Sequence, residues 1–253
     1  MDNTPHTADG ELIDIPKEWT FENASVAKGF DHHVREQLPW YDLVTGAVAH
    51  IARHYIPQNG LVYDIGASTG NIGNALEPAL TQRRARLIPI EPSAEMCASY
   101  NGPGKDDLIQ ADACHVPIQP FDVAICYLVM MFMPVHERPA FIDKLRQNLK
   151  PGGAIVVVDK CEAATGYQAT VLWRLTLAGK MAAGVLPEQI IAKELSLGGV
   201  QRPLDPSILG DDAQEWFRFG EFPAMSNATA NGVSRVPNTM LPAVLRPKAS
   251  GRR

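Results

Sequence analysis

The sequence predicts an α/β fold in which a mostly parallel sheet carries helices on both faces. Short apolar strand candidates alternate with helical patterns through the middle of the chain, an order typical of βαβ units. The 253 residues are 45% hydrophobic, which is enough for one sizeable core. We therefore expect one main domain.

Periodicity and turn residues predict the elements in order. Apolar residues at helical spacing over 43–55 predict a helix before the first strand. An amphipathic run over 135–149 predicts another, and the Pro-Gly-Gly at 151–153 ends it. The expected strands are 61–65, 86–91, 107–112, a run from Phe121, 154–159 and 215–222. The other expected helices are 71–80, 92–100 and two runs within 165–197 that are split near Gly184.

Composition suggests three parts of the chain. We predict a mobile leader over 1–18, a single domain over 19–225 and a poorly structured tail over 226–253, where small and polar residues precede a basic tip. Within the domain, the core is expected to span 41–161 and a helical insertion 165–200.

Charge and cysteine usage argue against several function classes. A net charge of -5 disfavours unaided nucleic-acid binding and direct DNA readout, because phosphate contacts need clustered Lys and Arg. The four cysteines are widely spaced and lack C-x-x-C, so neither a disulfide framework nor a metal site is indicated. No apolar run is long enough to span a bilayer, and the acidic, polar N-terminal stretch lacks the apolar region of a signal peptide. We expect no membrane association and a cytoplasmic location.

The stretch "GASTG", from Gly66 to Gly70, fits two motifs. As G-x-S-x-G it matches a nucleophile elbow, in which a strained turn raises a catalytic serine above the sheet. As a small-residue loop between an acidic strand end and a helix, it matches a nucleotide-binding turn without a nucleophile. A hydrolase on this topology needs a late histidine, and none follows His136. Ser68 is therefore expected to be a small loop residue.

Acidic residues end three successive predicted strands. Asp64 ends the first, Glu91 the second and Asp112 the third. Glu91 suits the two hydroxyls of an adenosine ribose, and Asp112 with the backbone N–H of Ala113 suits the adenine. The loop lacks the middle glycine of a dinucleotide fingerprint, Asp64 would repel a phosphate, and no Walker lysine follows. A ligand with adenosine, an amino acid and no phosphate fits, which indicates S-adenosylmethionine.

At these positions the sequence resembles the class I S-adenosylmethionine-dependent methyltransferases. The matching segments keep the family order and are "VYDIGASTGNIG", "LIPIEPSAEM", "LIQADA", "FDVAICYLVMMFM" and "LRQNLKPGGAIVVVD". The resemblance implies a Rossmann-like seven-stranded, mostly parallel sheet and an enzyme that transfers a methyl group from this cofactor. The expected cofactor-binding residues are Asp64, Gly66, Ala67, Ser68, Gly70, Glu91, Pro92, Asp112 and Ala113.

The chain is also similar to one branch, the carboxy-S-adenosylmethionine synthases of tRNA wobble-uridine modification. "WTFENASVAKGFD", "LPWYDLV" and "EWFRFGEF" carry this similarity over about 19–222. The segment "LPEQIIAKELSL" departs from it, because Glu194 stands where the branch has an arginine that holds the added carboxylate. If that alignment slips, Lys193 or Arg202 takes the place. A glutamate would repel a carboxylated ligand, so methyl transfer is the first expectation and carboxy transfer to the cofactor the alternative.

Two tyrosines are the candidate catalytic residues. Tyr41 is expected to close over the methionine end of the cofactor, and Tyr127, after the fourth strand, to face the transferring methyl group. Core packing is the alternative for both. His32 and His33 belong to a predicted lid and are expected at the surface, and a role as acid or base is the alternative.

The acceptor is expected to be a small molecule, with a tRNA presented by a partner as the second choice. The D/N-P-P-Y/F tetrad of nucleobase amine methyltransferases is absent, because the chain reads "CYLV" there. The Pro-Cys nucleophile of cytosine-C5 enzymes is absent too, because Ile125 precedes Cys126. A non-catalytic cofactor-binding subunit and a homodimer stay open.

Overall fold

A seven-stranded sheet forms the centre of the computed structural model, which describes residues 15–228. The strands are β1 (Leu61–Ile65), β2 (Arg86–Glu91), β3 (Ile109–Gln110), β4 (Phe121–Tyr127), β5 (Leu149–Val158), β6 (Gln214–Phe219) and β7 (Phe222–Ala228). The helices are α1 (Ala24–Gln37), α2 (Tyr41–Ala52), α3 (Asn71–Arg83), α4 (Ala94–Ser99), α5 (Arg138–Asn148), α6 (Gly166–Ala182) and α7 (Pro187–Ser196). The strand order is β3-β2-β1-β4-β5-β7-β6. β1 to β5 are parallel, whereas β7 is antiparallel to both its neighbours. The predicted Rossmann-like fold class is thereby confirmed.

Alternate strand residues point to opposite faces of the sheet, and two core layers result. One layer groups Tyr63 and Ile155 of the sheet with Leu145 of α5. The opposite layer groups Val62 with Val48 of α2 and with residues of α3. Because both faces are covered, polar groups gather where the strands end.

The third strand is shorter than predicted. Only Ile109–Gln110 pairs with β2, because Lys105–Asp107 forms a 3-10 turn before it. After it, the Asp112 carboxylate accepts a hydrogen bond from the backbone N–H of Cys114 at 2.8 Å, and this local turn carries the chain away from the sheet. Asp112 therefore lies beyond the strand end rather than at it.

The last strand candidate is a hairpin rather than one strand. β6 and β7 pair antiparallel on either side of Gly220, whose φ of 59° suits the turn between them. β7 runs to Ala228, so residues 226–228, predicted as the start of the tail, belong to the sheet. The rest of the predicted tail and residues 1–14 of the predicted leader lie outside the described residues. No helix within the described part of the chain is long and apolar enough to cross a membrane.

Helix α1 was not predicted from the sequence. Asn23 caps its start by accepting a hydrogen bond from the Ser25 N–H at 2.9 Å. Gly29 and His33 interrupt its apolar stripe, so the helix signal is weak without the packing of its neighbours. His33 is buried in this helix, which corrects the expectation that it lies at the surface.

Candidate cofactor and acceptor site

The carboxyl ends of β1, β2 and β4 border a cavity with an empty volume of about 690 Å³, which we call the strand-end cavity. It lies where the strand order reverses between β1 and β4, the usual ligand position in such sheets. The predicted site residues that line it are Tyr41, Asp64, Gly66, Ala67, Ser68, Glu91, Pro92 and Tyr127. The lining residues that were not predicted are Phe21, Phe30, Asn71, Ile72, Met96, Leu128, Val129 and Phe132.

The loop after β1 needs glycine at two positions. Gly66 has a φ of 70°, and a Cβ atom there would overlap the side chain of Val129. Gly70 has a φ of 100°, and a Cβ atom there would lie 2.7 Å from the backbone nitrogen of Gly102. Gly70 does not itself line the strand-end cavity but starts α3 beside it. Both glycines let the backbone follow a path that a side chain would block.

Ser68 contributes its backbone to the site rather than its hydroxyl. Its N–H donates to Glu91 Oε2 at 2.8 Å, and its Oγ lies 3.6 Å from the Met96 sulfur. Its φ of 50° is in the left-handed region, which is uncommon for a residue with a side chain. Among the described residues, no histidine lines the strand-end cavity, so no imidazole base is available to activate the hydroxyl. This agrees with a loop residue rather than a nucleophile.

Asp64 is a buried carboxylate with an unused acceptor. The residue is 1% exposed, and its Oδ2 has no hydrogen-bond partner. Burial, and secondarily the charge of Glu91, raises the pKa of Asp64 to about 7, although a hydrogen bond from the Gly73 backbone works in the opposite direction. A buried oxygen without a partner is costly, and a ligand that donates an N–H would satisfy it. The amino group of S-adenosylmethionine is such a donor.

Glu91 is held in place by the backbone. Its two oxygens accept hydrogen bonds from the N–H groups of Ser68 at 2.8 Å and Ser93 at 3.0 Å. Burial raises the pKa of Glu91, while these two backbone hydrogen bonds work in the opposite direction. Each carboxylate oxygen keeps a further lone pair, so the fixed carboxylate can still accept from two adjacent hydroxyls. The ribose of the cofactor presents that pair.

Asp112 and Ala113 lie apart from the strand-end cavity. The Asp112 carboxylate is partly exposed, accepts from the Cys114 N–H and lies 3.5 Å from His115 Nδ1. Ala113 is buried in the core layer that includes α5. Neither lines the cavity, so the structure does not bring the predicted adenine contacts together with Asp64 and Glu91.

Tyr41 and Tyr127 form one wall of the strand-end cavity, with ring centroids 5.3 Å apart. The Tyr127 hydroxyl donates to the backbone oxygen of Tyr41 at 3.1 Å and accepts from the Thr45 hydroxyl at 3.1 Å. Burial raises the pKa of Tyr41 and of Tyr127 well above the ordinary value. Both phenols therefore stay protonated near neutral pH, and they shape the wall rather than supply a base.

Asp31 and Arg35 connect helix α1 to neighbouring elements through side-chain hydrogen bonds. The Asp31 carboxylate accepts from the Thr69 hydroxyl at 2.6 Å and from Asn71 Nδ2 at 2.7 Å. Arg35 donates to Asn71 Oδ1 at 3.3 Å and to the Asp42 carboxylate at 2.9 Å. These contacts join α1, α2 and the start of α3, so α1 covers the cofactor side of the sheet.

A second cavity adjoins the first and has an empty volume of about 720 Å³, open solvent at its mouth included. We call it the acceptor cavity. Phe21, Phe30, Leu128 and Phe132 line both cavities and so connect them. Leu128 has a φ of 59°, an unusual backbone conformation that turns the chain out of β4 between the two cavities.

Three lysines and one glutamate line the acceptor cavity. Lys160, Lys180 and Lys193 contribute to it, whereas Glu194 is its one acidic lining residue among those described. Lys180 Nζ pairs with Glu194 Oε1 at 2.9 Å, and Lys160 lies 3.5 Å from Glu221. Lys160 and Lys180 are therefore each paired with a glutamate, whereas Lys193 is not.

Lys193 is the unusual member of this set. It is 7% exposed, its ammonium group contacts the face of the Trp19 ring, and no carboxylate pairs with it within residues 15–228. Burial, and secondarily the charge of Lys180, lowers its pKa to about 5, although Glu194 works in the opposite direction. Beside it, His33 Nε2 and Gln37 Oε1 are buried without hydrogen-bond partners, and burial lowers the pKa of His33 to about 3. The cavity thus holds unsatisfied polar groups around a buried amine.

The structure changes the role expected for Glu194. Its charge is balanced by Lys180, so it does not present an unpaired negative charge to a ligand. The neighbouring Lys193 lines the acceptor cavity, whereas Arg202 does not. The argument that Glu194 repels an anionic ligand is therefore weaker in the structure than in the sequence.

The residues that sequence reasoning missed are mostly apolar. Phe21, Phe30 and Phe132 close the two cavities from segments that carried the family resemblances but gave these aromatic residues no role. Asn71 directly follows the glycine loop, and its place at the start of a helix was the one available signal. Aromatic side chains in the sequence are more often core residues, so nothing local distinguished these.

Comparison with known proteins identifies the class. A profile described as methyltransferase domain matches residues 63–157. The DhpI structure with S-adenosylhomocysteine shares the fold at a TM-score of 0.53 and 16% identity, covering 81% of this chain and 93% of that one. Magnesium protoporphyrin IX methyltransferase of Synechocystis PCC 6803 shares the fold at a TM-score of 0.51 and 16% identity, covering 78% of this chain and 86% of that one. Residues 63–157 thus form a methyltransferase domain, the chain has the fold of class I S-adenosylmethionine-dependent methyltransferases, and S-adenosylmethionine is its cofactor.

Several curated relatives of this chain are carboxy-S-adenosyl-L-methionine synthases. The carboxy-S-adenosyl-L-methionine synthase of Staphylococcus epidermidis is 27% identical over 218 residues, which cover 82% of this chain and 95% of that protein. The match supports the second resemblance seen in the sequence, at an identity that leaves the reaction of this chain to be argued from its own residues.

Proposed function

We propose that this enzyme transfers the methyl group of S-adenosylmethionine to a small acceptor that carries a carboxylate and binds in the acceptor cavity. The observation that carries the proposal is Lys193, a buried amine without an acidic partner in a cavity that adjoins the cofactor site. Burial lowers its pKa to about 5, so it becomes a stable cation only when an anion binds beside it. A buried charge is stable only when it is paired, and a ligand carboxylate supplies the missing partner.

The proposed cofactor site uses three groups of this chain. Asp64 Oδ2 accepts from the amino group, the Glu91 carboxylate accepts from the ribose hydroxyls, and the backbone at Gly66 passes close to the ligand. When bound, the cofactor supplies an electrophilic methyl group on a sulfonium. The shared aromatic lining, including Phe21 and Phe30, keeps water away from the region between the two cavities.

Catalysis in this proposal is mainly alignment. The acceptor displaces the methyl group in line, so a fixed carboxylate at Lys193 orients the attacking atom toward the strand-end cavity. Neither Tyr41 nor Tyr127 is free to act as a base, because both phenols remain protonated. An acceptor atom that loses its proton only after methylation needs no base in the site.

A small acceptor is favoured over an RNA-linked one by the surroundings of the cavity. Its lining is largely aromatic and aliphatic, and two of its three lysines, Lys180 and Lys193, are buried rather than spread over a surface groove. RNA recognition relies on exposed Lys and Arg that contact phosphates, and the chain has an overall negative charge. A tRNA acceptor is the second choice.

The test compares carboxylate acceptors with their carboxamide counterparts in a turnover assay that measures S-adenosylhomocysteine formation. The expected result is turnover of one or more carboxylates and at least about tenfold weaker use of the matched amides, the effect of one lost ion pair in a buried site. Lys193→Met should remove that preference while the thermal shift caused by S-adenosylhomocysteine persists. Equal use of both forms by the native enzyme would contradict the proposal.

Carboxy transfer to the cofactor is a second candidate, and one observation favours it. Lys193 lines the cavity next to a Glu194 that Lys180 has neutralised, so a carboxylated cofactor would meet a cation there. The name of the Staphylococcus epidermidis relative points in the same direction. Mass spectrometry of the small molecule that co-purifies with the protein separates the candidates: S-adenosylhomocysteine or S-adenosylmethionine supports methyl transfer, and a carboxylated cofactor supports carboxy transfer.

A cytoplasmic location is part of the proposal. Cys97, Cys114, Cys126 and Cys161 are all free thiols, as is usual in a reducing compartment. Fractionation of the native host, with a cytosolic and a membrane marker, tests it.

A further inference from the structure

Two polar side chains of α1 line the acceptor cavity and have no role in the function proposed above. His33 and Gln37 are four residues apart in this helix, so they lie on the same side of it, one turn from each other. They are 7% and 8% exposed, and both line the acceptor cavity. We call these two residues the α1 polar pair.

Each member of the α1 polar pair has a buried atom without a hydrogen-bond partner. Within residues 15–228, His33 Nε2 and Gln37 Oε1 are two of five buried side-chain atoms in this state. A buried polar atom that lacks a partner lowers the stability of the folded protein, so such atoms are rare in native structures. Two of them on one helix turn, both from residues that line a cavity, are explained by a ligand that supplies the missing partner.

The α1 polar pair lies close to Lys193. The Trp19 ring stacks on the imidazole of His33 at a centroid distance of 5.3 Å, and the same ring contacts the amine of Lys193. The backbone N–H of Trp19 donates to the backbone oxygen of Ser196 at 2.9 Å, which holds this segment against α7. A ligand whose carboxylate binds at Lys193 therefore has the α1 polar pair within its reach.

The chemistry of the two unpartnered atoms selects a hydroxyl group. Burial, and secondarily the charge of Lys193, lowers the pKa of His33 to about 3, so the imidazole is neutral and its Nε2 presents either an N–H or a lone pair. Gln37 Oε1 needs a donor, which excludes a carboxylate. An ammonium group only donates, and it would add a positive charge beside Lys180 and Lys193. A hydroxyl both donates and accepts, so one hydroxyl can pair with both atoms.

We propose that the acceptor is a hydroxy acid, whose carboxylate pairs with Lys193 and whose hydroxyl binds His33 and Gln37. This inference rests on the proposed function, because it assigns a second group of the same acceptor. Neither member of the α1 polar pair lines the strand-end cavity, where the cofactor binds. The pair therefore determines which acceptor is selected and takes no part in the transfer of the methyl group.

The test is a calorimetric titration of matched acids into the full chain saturated with S-adenosylhomocysteine. The probe pairs are lactate and propionate, mandelate and phenylacetate, and 3-hydroxybenzoate and benzoate. In at least one pair the hydroxy acid should bind at least about tenfold more tightly, because the acid without the hydroxyl leaves both buried atoms unpaired. Equal binding within every pair, or no binding of any probe, would overturn the proposal.

Variants of the α1 polar pair show whether the preference arises there. His33→Phe and Gln37→Leu remove the polar atoms and keep side chains of similar size. Each should weaken binding of the preferred hydroxy acid at least about fivefold and leave binding of its partner acid unchanged or tighter. A role in packing alone would weaken both acids equally, which would contradict the assignment. Gln82→Leu is the matched control, because Gln82 is exposed on α3, and it should keep the native preference.

Folding of the variants is checked independently by their thermal shift with S-adenosylhomocysteine, which depends on the strand-end cavity. The carboxamides of the same probes separate this proposal from the proposed function. If the native chain prefers the hydroxyl but binds amide and acid equally, the carboxylate acceptor is wrong and the hydroxyl site stands. If it prefers the acid over the amide but does not distinguish the hydroxy acid from its partner, the hydroxyl site alone is wrong.

Discussion

Replacement of Asp64 by Asn should make the ligand-free protein more stable while removing its affinity for the cofactor. The folded-state pKa of Asp64 is raised from 3.8 to about 7, and one pKa unit corresponds to about 1.36 kcal/mol. The sign follows from linkage: the folded state prefers the protonated acid, so stability is lost as pH rises from 3.8 toward 7. Above pH 7 the penalty is complete and amounts to about 4 kcal/mol.

Asparagine removes that penalty but places an unpaired amide where Oδ2 has no partner, which costs about 1–3 kcal/mol. The expected net gain at pH 8 is about 1–3 kcal/mol, or roughly 3–9 °C in Tm for a chain of this size. At pH 5 the penalty is only about 1.6 kcal/mol, because the unfolded carboxyl is ionised and the folded one is still protonated. The cost of the unpaired amide offsets this smaller penalty, so the gain should vanish. The shift caused by S-adenosylhomocysteine should be lost, because the amide cannot replace the carboxylate as the partner of an amino group.

The assay is thermal unfolding at pH 5 and pH 8, with and without S-adenosylhomocysteine. Asp143→Asn is the control, because Asp143 is exposed on α5 and its replacement should change neither stability nor binding. Full retention of the cofactor shift by Asp64→Asn would refute the assigned role. An Asp64→Asn variant whose stability relative to the native chain is the same at both pH values would refute the raised pKa.

Three further variants probe the same region. Gly66→Ala should weaken cofactor binding at least about tenfold in a calorimetric titration. The new Cβ atom would overlap Val129, and the positive φ costs about 1–2 kcal/mol for a residue with a side chain. The control is Gly46→Ala, which lies in open space on α2 and should bind the cofactor normally. Ser68→Ala should change cofactor affinity less than about threefold, since the N–H rather than the hydroxyl bonds Glu91; a loss of activity without loss of binding would instead revive a nucleophile. Lys193→Met should raise the KM for the acceptor. In the native enzyme, the affinity for the acceptor should fall as pH rises above about 5, because the acceptor carboxylate binds the protonated amine of Lys193. An acceptor affinity that does not change with pH would count against the ion pair.

The sequence pattern was sufficient to predict that Asp64 and Glu91 end neighbouring strands and lie close together in the fold. Asp64 and Glu91 directly end strands whose apolar runs are unambiguous, and parallel strands place their carboxyl ends at one edge. Asp112 follows a strand that pairs over only two residues, so the same reasoning placed it too close to the site. The difference arises because a turn made by its own side chain competes with the sheet.

The sequence by itself determined the α/β class, the glycine loop and the two strand-end acids that line the cavity, because these depend on periodicity and on backbone conformation. Only the tertiary structure determined which charged side chain of the acceptor cavity lacks a partner. Helical spacing puts Lys193 and Glu194 on different sides of α7, but packing against Trp19 and the pairing of Lys180 determine that Lys193 is the unpaired one. Burial and the choice of partner depend on residues far apart in the chain, and no local pattern contains them.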